Sequence, residues 1–165
     1  MTKSKDDLLA AFAGESQANR KYTAFGRKAD EEGYPQVARL FRAAAAAETV
    51  HALSHFKVSG GVGSTKENLE AAIAGEHYEV VTMYPDFIKD AEAENDRGAL
   101  RSFKYAWDVE KIHEQLYRDA LATLGQATET YDYYICPICG YTVGKNAPDK
   151  CPICATPGSK FERIS

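Results

Sequence analysis

The sequence predicts an all-α four-helix bundle followed by a small C-terminal domain, and two observations lead to this fold class. Apolar residues recur at helical spacing through the first 125 residues, where Ala, Glu, Lys and Arg dominate. The four cysteines all lie in the last 32 residues, as two Cys-Pro-Ile-Cys segments. Paired segments of this kind are typical of a four-thiolate metal site, so the tail is expected to fold as a metal knuckle.

Composition and charge exclude several classes of protein. The chain has 165 residues, of which 44% are hydrophobic and 27% charged, as in ordinary globular proteins. Its net charge of -4 gives no support for nucleic-acid binding. The run Ala43 to Ala47 is too short to span a membrane, and Asp6 and Asp7 fall where a signal peptide needs apolar residues. We therefore expect a soluble cytoplasmic protein without nucleic-acid or membrane partners.

Helix signals divide the first part into four segments. The first helix is predicted from Lys5 to Glu32, since Gly33 ends it and Pro35 lies just beyond. The second begins near Pro35 and ends before Gly60. Four helices of about 25 residues with short connections are typical of a bundle.

Capping signals mark the other two helices. Ser64 and Glu67 form a predicted capping box for the third helix, which Pro85 should kink or interrupt. Asn95 or Asp96 can cap the fourth, which should run to about Leu124.

The composition changes near residue 125, and four of the six prolines follow that point. We predict a helical domain over 1–125, a linker over 126–133 and a metal-binding domain over 134–165. A chain of this last length is too short for an adequate apolar core, and a bound metal can replace that core.

Glutamates and histidines recur on the predicted helices with a regular spacing. Glu15 lies on the first helix and a Glu-x-x-His pair, Glu48 and His51, on the second. The third helix carries Glu76 and Glu79, and the fourth a second Glu-x-x-His pair, Glu110 and His113. Glu15 and Glu48 are 33 residues apart and Glu76 and Glu110 are 34 apart, so one helix pair is used twice.

This repeat predicts a pair of metal ions. Residues at i and i+3 lie about 60° apart on a helix, so each Glu-x-x-His pair directs a carboxylate and an imidazole to one point. Several ionised carboxylates inside a bundle need neutralising cations. Mixed oxygen and nitrogen ligands suit iron or manganese. Solvated helix acids are the alternative, although a matched repeat disfavours them.

Four further side chains lie close to these motifs in the sequence. His55 follows His51 by four residues and is a rival ligand, but only His51 reproduces the spacing of His113. His77 directly follows Glu76 and should point away, so it is not expected to bind metal. Tyr22 and Tyr84 fall on or near the inward faces, either as hydrogen-bond donors to the carboxylates or as ordinary core aromatics.

The four thiols offer a second metal site. Each Cys-Pro-Ile-Cys segment should form a tight turn that presents two thiolates, and Gly140 permits the backbone angle that follows the first turn. Four thiolates suit either zinc or a single iron, and the residues alone do not separate the two. Zinc would be structural only, whereas iron would carry one electron.

Together these residues resemble the rubrerythrin family over essentially the whole chain. The resemblance rests on GESQANRKY, AAETVHA, GEHYEVVTMYPDF, the Glu110 motif, CPICGY and CPIC. It implies a ferritin-like di-iron bundle, a rubredoxin-like Fe(Cys)4 domain and a homodimer. It also implies reduction of hydrogen peroxide to water, with electrons from NAD(P)H through a separate reductase or small electron carrier, in protection against oxidative stress.

The resemblance also implies a role for each residue. Glu48 and Glu110 would bridge the irons, Glu15 and His51 would bind one iron, and Glu76 and His113 the other. Glu79 would ligate the first iron when oxidised, and His51 would replace it on reduction. Tyr22 and Tyr84 would support the ligands, and the four-cysteine iron would be held by Cys136, Cys139, Cys151 and Cys154. Ala155 departs from the family, which often has Gly there.

Two other functions fit parts of the pattern. A ferroxidase or iron-handling protein would use the same carboxylates, but it would not need the thiolate domain. A helical scaffold with a structural zinc knuckle would be colourless. Metal identity and the response to peroxide separate these functions from a peroxidase.

Overall fold

The protein folds into two compact units, one extending to Gly63 and the other from Ser64 to Ser165. The structure is a computed structural model, and it describes residues 2–126 and 129–165. Positions 127 and 128 of the predicted linker lie outside the described residues. Each unit contains an antiparallel helix pair, and the second also contains the cysteine-rich tail.

The first unit is a helical hairpin of α1 (Lys3–Glu31) and α2 (Pro35–Val58). Gly33 has a φ of +81°, which a residue without Cβ adopts freely, and Pro35 begins α2. The rings of Phe12 and Phe56 stack with centroids 4.6 Å apart, near the open end of the hairpin. The predicted boundaries of both helices agree with the structure within about two residues.

Small residues hold these two helices close together. Ala38, Ala45 and Ala52 of α2 are buried at intervals of seven residues. A Cβ on Gly26 of α1 would lie only 3.5 Å from the Ala38 carbonyl oxygen. Asn19 of α1 donates hydrogen bonds to the Ala45 carbonyl oxygen, at 2.6 Å, and to Thr49 Oγ1. This packing fixes the register of the hairpin.

The second unit begins with α3 (Thr65–Tyr78), a π-helical segment (Glu79–Met83) and α4 (Tyr84–Glu94). The capping box predicted at the start of α3 is present, with Ser64 and Glu67 bonded reciprocally. Next comes α5 (Arg97–Ala122), which Asp96 caps through the backbone N–H groups of the first turn. This helix ends two residues before the predicted Leu124.

The interruption that Pro85 predicts takes the form of the π-helical segment. The Tyr84 N–H donates to the Glu79 carbonyl five residues back. Pro85 has no N–H, so it cannot bond to the Val80 carbonyl in the same pattern. The indole N–H of Trp107, on α5, donates to that carbonyl instead at 2.8 Å. A π-helical turn therefore persists without an unpaired buried carbonyl.

The tail forms a small antiparallel sheet with strand order β2-β1-β3. Its strands are β1 (Tyr133–Ile135), β2 (Thr142–Gly144) and β3 (Glu162–Ile164). Each cysteine segment closes a tight turn: Gly140 N–H donates to the Cys136 carbonyl, and Ala155 N–H to the Cys151 carbonyl. Strands of three residues bury little apolar surface, which agrees with a domain that depends on a metal.

Candidate metal centres

The first unit brings Glu15, Glu48 and His51 together. One ligand atom of each lies within 4.8 Å of those of the other two. Glu15 comes from α1, whereas Glu48 and His51 come from one face of α2. His51 Nδ1 is 3.0 Å from Glu48 Oε2, as the i+3 spacing requires. The His51 side chain is 55% exposed, so its ring is only loosely held.

Two other predicted residues of this unit lie outside that group of ligand atoms. His55 is not part of it, and the choice of His51 over His55 as a ligand stays a prediction. The ring of Tyr22 contacts Phe25 and Phe41, with centroids 6.4 and 6.2 Å away. Within residues 2–126 and 129–165 the Tyr22 hydroxyl makes no hydrogen bond to a carboxylate, so its supporting role stays a prediction.

The second unit brings Glu76, Glu110 and His113 together in the same way. Glu76 lies on α3, and α5 carries the other two. His113 Nδ1 is 2.7 Å from Glu110 Oε2 and 3.9 Å from Glu76 Oε1. The His113 side chain is 26% exposed, about half the value of His51. This group is therefore more enclosed than the one in the first unit.

In the metal-free protein, the surroundings of the second group raise the pKa of its carboxyl groups and its histidine. Burial, together with the charge of Glu110, raises the pKa of Glu76 to about 7. The same two causes raise the pKa of Glu79, which lies in the π-helical segment. The hydrogen bond to Glu110 raises the pKa of His113, although burial opposes it. A cation would replace these protons, since each donor must be deprotonated to bind metal.

Tyrosines surround this second group. Burial and then the charges of Glu79, Glu110 and Glu76 raise the pKa of Tyr84, which places its hydroxyl in the field of these carboxylates. Burial and then the charges of Glu76 and Glu110 raise the pKa of Tyr117, a residue that sequence reasoning missed. Its place one turn after His113 on α5 is a signal that could have found it.

His77 has a partner outside the donor group. Its Nδ1 lies 3.1 Å from Glu114 Oε1, and Glu114 also bonds to Arg118. Glu114 therefore holds a histidine and an arginine. The expectation that His77 does not bind metal stays a prediction.

The four cysteine sulfurs form one cluster, with their Sγ atoms all within 4.8 Å of one another. Cys136 Sγ is 3.5 Å from Cys154 Sγ, and Cys139 Sγ is 3.5 Å from Cys151 Sγ. Cys136 and Cys151 are buried, and Cys139 and Cys154 are half-buried. Distances well above the 2.05 Å of a disulfide leave four free thiols around a common point.

Burial and hydrogen bonds shift the pKa values of these thiols in opposite directions. Burial raises the pKa of Cys154, but hydrogen bonds from Thr156 and interactions with Cys136 and Cys139 outweigh it and lower the pKa to about 6. Burial raises the pKa of Cys139, and the Tyr141 N–H partly offsets this effect. A cation that binds four thiolates removes the cost of burying them.

Two residues near the second group were not predicted from the sequence. Thr142 Oγ1, at the start of β2, lies 2.9 Å from His113 Nε2. Trp107 supports the π-helical segment that carries Glu79. Thr142 is 29 residues from His113, and no local pattern marks such a contact. Trp107 lies one turn before Glu110 on α5, a spacing that could have suggested an inward position.

The donor sets define the class of protein. Two groups, each with two carboxylates and an imidazole, fit a pair of iron or manganese ions. Four thiolates in two tight turns fit a mononuclear iron or zinc ion. The chain is thus a helical metalloprotein with a carboxylate-bound pair of ions and a separate thiolate site.

Comparisons with known proteins give the family. Residues 6–121 match the family model described as Rubrerythrin, and residues 134–162 match that described as Rubrerythrin, rubredoxin-like domain. Rubrerythrin-2 of Clostridium acetobutylicum is 38% identical, with 95% of this chain and 94% of the relative covered. Rubrerythrin of Porphyromonas gingivalis is 39% identical, with 98% and 90% covered. The chain belongs to the rubrerythrin family.

A solved structure agrees with this assignment. The fully reduced, all-ferrous state of nigerythrin is 35% identical, with a TM-score of 0.61 and coverage of 99% of this chain and 88% of that one. The predicted fold class, a ferritin-like helical protein with a small rubredoxin-like metal knuckle, is confirmed. The predicted cofactors, a di-iron centre and one iron in a four-cysteine site, are confirmed by the donor sets and the family.

In the described part of the chain, no helix is both long enough and apolar enough to cross a membrane.

Proposed function

We propose that this protein is a non-haem di-iron peroxidase that reduces hydrogen peroxide to water. The observation that carries the proposal is the presence, in one rubrerythrin-family chain, of two Glu-Glu-His groups and a four-thiol cluster. The reaction consumes one peroxide, two electrons and two protons and yields two waters. When bound, the di-iron centre supplies the two electrons and the Lewis acidity for this reduction.

The residues take the roles that the family resemblance implies. Glu15 and His51 would hold one iron and Glu76 and His113 the other, while Glu48 and Glu110 would be shared between the two. Glu79 would serve the first iron when it is oxidised, and His51 when it is reduced. The exposed ring of His51 and the position of Glu79 in a π-helical segment support these alternating roles, since an exposed ring and an irregular helical turn both leave room for movement.

Carboxyl groups of the chain can supply the protons. Glu79 has a raised pKa and lies close enough to Glu76 and Glu110 to interact with them. A carboxyl group of this kind holds a proton on Oε nearer to neutral pH than a solvated glutamate would. Such a proton can pass to the oxygen that leaves as water. Tyr84, in the same field of charge, orients the carboxylates.

The thiolate site delivers electrons one at a time. Cys136, Cys139, Cys151 and Cys154 would hold an iron that supplies one-electron chemistry, whereas zinc has no such chemistry. The electrons come from NAD(P)H through a separate reductase or small electron carrier.

We further propose a division of the chain into a helical domain over 1–125, a linker over 126–133 and the thiolate domain over 134–165. The ranges of the two family matches support this division. We also propose that the protein is a cytoplasmic homodimer.

A single-turnover experiment tests the proposal. The iron-loaded protein is reduced without oxygen and mixed with peroxide or with dioxygen while visible absorption is followed. We expect three irons per chain, faster oxidation by peroxide than by dioxygen, and return of the ferric thiolate colour with the same dependence on peroxide. Oxidation no faster with peroxide would refute the peroxidase. Net accumulation of iron well above three per chain would indicate iron handling instead, and a colourless zinc protein from the native host would indicate a scaffold.

A further inference from the structure

The two Glu-x-x-His motifs differ in what holds the far nitrogen of their histidines. His51 contacts Glu48 through Nδ1, and no partner of its Nε2 is found in residues 2–126 and 129–165. His113 contacts Glu110 through Nδ1, and its Nε2 is also held, by Thr142 Oγ1 at 2.9 Å. The repeat therefore has one histidine anchored at both nitrogens and one anchored at a single nitrogen.

The direction of the bond between His113 and Thr142 follows from the second contact of the threonine. Thr142 Oγ1 lies 3.0 Å from the Gly140 carbonyl oxygen, which can only accept. Thr142 therefore donates its only hydroxyl proton to the Gly140 carbonyl oxygen. Towards His113 the hydroxyl can only accept, so His113 Nε2 carries the proton.

This direction decides which nitrogen faces the carboxylates. Because Nε2 keeps its proton for Thr142, Nδ1 is the nitrogen that can give up a proton to a metal, and it lies 2.7 Å from Glu110 Oε2 and 3.9 Å from Glu76 Oε1. A neutral imidazole binds metal through the nitrogen that has no proton. Hydrogen bonding at the other nitrogen fixes the ring and is worth about 10–100-fold in metal affinity in known sites.

Thr142 is held in place by the first cysteine turn. Gly140 follows Cys139 directly, and its N–H donates to the Cys136 carbonyl at 2.9 Å. Val109, one turn before His113, is 2% exposed, and a Cβ on Gly140 would lie 3.8 Å from its Cγ1. The turn thus packs on α5 within the same compact unit, and it presents Thr142 to the histidine.

We propose that Thr142 is a positioning residue, which holds His113 with its proton on Nε2 and its Nδ1 free for iron, and which ties the thiolate site to this ligand within one chain. The proposal rests on the di-iron function proposed above. It explains why one histidine of the repeat is fixed while its counterpart, His51, is free to exchange.

Histidine NMR of the zinc-loaded protein tests the proposal without any turnover. The variants are Thr142→Val, which keeps the shape but removes the hydroxyl, and Thr142→Ser, which restores the hydroxyl. Signals of ¹⁵N-labelled His113 are assigned with His113→Asn. We expect a protonated Nε2 that exchanges slowly with water in the parent and the Ser variant, and exchange at least about tenfold faster in the Val variant.

A chelator competition gives the second readout. Thr142→Val should lose about 10–100-fold in affinity for one of the two carboxylate-bound metals, and Thr142→Ser should retain most of it. The thiolate site should stay filled in both, which shows that the tail is folded. A protonated Nδ1 in the parent, or equal exchange and affinity in the Val variant, would overturn the proposal. A failure of the peroxidase alone would leave these zinc measurements unchanged, so the two failures are distinguishable.

Discussion

Ala155 occupies a backbone conformation that favours glycine. Its φ is +61°, and it follows Cys154 in the same way that Gly140, with a φ of +83°, follows Cys139. The two cysteine turns thus demand the same left-handed residue, and only one of them has glycine. A residue with a Cβ costs about 1 kcal/mol or more in this conformation. Alanine at position 155 therefore adds strain to the second cysteine turn and leaves its geometry intact.

Replacing this alanine should stabilise the tail. We expect Ala155→Gly to raise the stability of the thiolate domain by up to about 1 kcal/mol, because glycine adopts the conformation without strain but is more flexible when unfolded. Denaturant unfolding of the iron-loaded protein, followed by loss of the thiolate absorption, measures the change. Gly140→Ala, the reverse substitution at the equivalent position of the first cysteine turn, is the control and should destabilise the thiolate domain by a similar amount. Equal unfolding curves for all three proteins would show that the backbone angle φ at positions 140 and 155 does not affect the stability of the thiolate domain.

Glu76 makes the stability of the metal-free protein depend on pH. Its pKa is about 7 in the folded protein, against an ordinary value of 4.5. Between these values the folded state binds a proton that the unfolded state has released. The free energy of unfolding therefore falls as pH rises through this window. His113 acts in the same direction above its ordinary 6.5, because its raised pKa gives stability that is lost as the imidazolium deprotonates.

Chemical unfolding of the metal-free protein at a series of pH values tests this account. We expect the midpoint to fall from pH 5 to pH 7.5 in the parent and to fall less in Glu76→Gln, which has no carboxyl group to titrate. Metal uptake should release protons below pH 7 and weaken as the pH is lowered, since the same groups must deprotonate. Glu70→Gln, an exposed change on α3, is the control. A parent midpoint that rises over this range would contradict the assignment.

At the level of the helices, the π-helical segment depends on Trp107. Its indole N–H satisfies the Val80 carbonyl that Pro85 cannot reach. We expect Trp107→Phe to destabilise the protein by about 1–3 kcal/mol beyond the change in packing, because the carbonyl loses its partner. Lys111 lies over the same ring, 3.2 Å from its centroid, so Lys111→Met serves to separate the cation–π contact.

Urea unfolding of the metal-free variants measures this effect. A second readout is the oxidation of the di-iron protein, since Glu79 lies in the same segment. If Trp107→Phe unfolds like Lys111→Met, the indole hydrogen bond does not stabilise the segment. Normal unfolding with altered oxidation would instead place the influence of Trp107 on Glu79 alone.

Local signals were sufficient to predict the helices. Gly33 and Pro35, the Ser64–Glu67 capping box and the Asp96 cap act over three or four residues, so a reader of the sequence can find them. The form of the interruption at Pro85 could not be predicted, because a break, a kink and a π-helical turn all suit a missing N–H. Trp107, 27 residues away, selects among them. The predicted helix ends differ from the observed ones by only a few residues.

The metal-binding groups show the same difference between local sequence signals and contacts that join distant parts of the chain. The spacing of Glu48 with His51 and of Glu110 with His113 shows which side chains share a helix face, and the structure brings each pair together with a glutamate of the neighbouring helix. The contact of Thr142 with His113 depends on how the tail packs on α5. Side-chain periodicity holds no information on such packing. The helical spacing likewise could not predict where the hydroxyl of Tyr22 lies.

For the whole molecule, the decisive prediction concerns how the two Glu-Glu-His groups depend on each other. They belong to separate compact units, with Glu48 in one and Glu110 in the other. If Glu48 and Glu110 bridge a single pair of ions, as we propose, Glu48→Gln and Glu110→Gln should each lower the affinity for both ions. Two independent single-ion sites would instead lose one ion per substitution, since distant sites without shared ligands behave additively.

Metal analysis after dialysis against a chelator distinguishes these outcomes. We expect the parent to retain three irons per chain and each Gln variant to retain close to one, the iron held by the cysteines. His55→Asn and His77→Asn are matched controls, one in each unit, because they remove an imidazole near the donor groups without removing a ligand. Both should retain three irons. Retention of two irons in each Gln variant would show that the units bind their ions separately, and the shared centre would have to be abandoned.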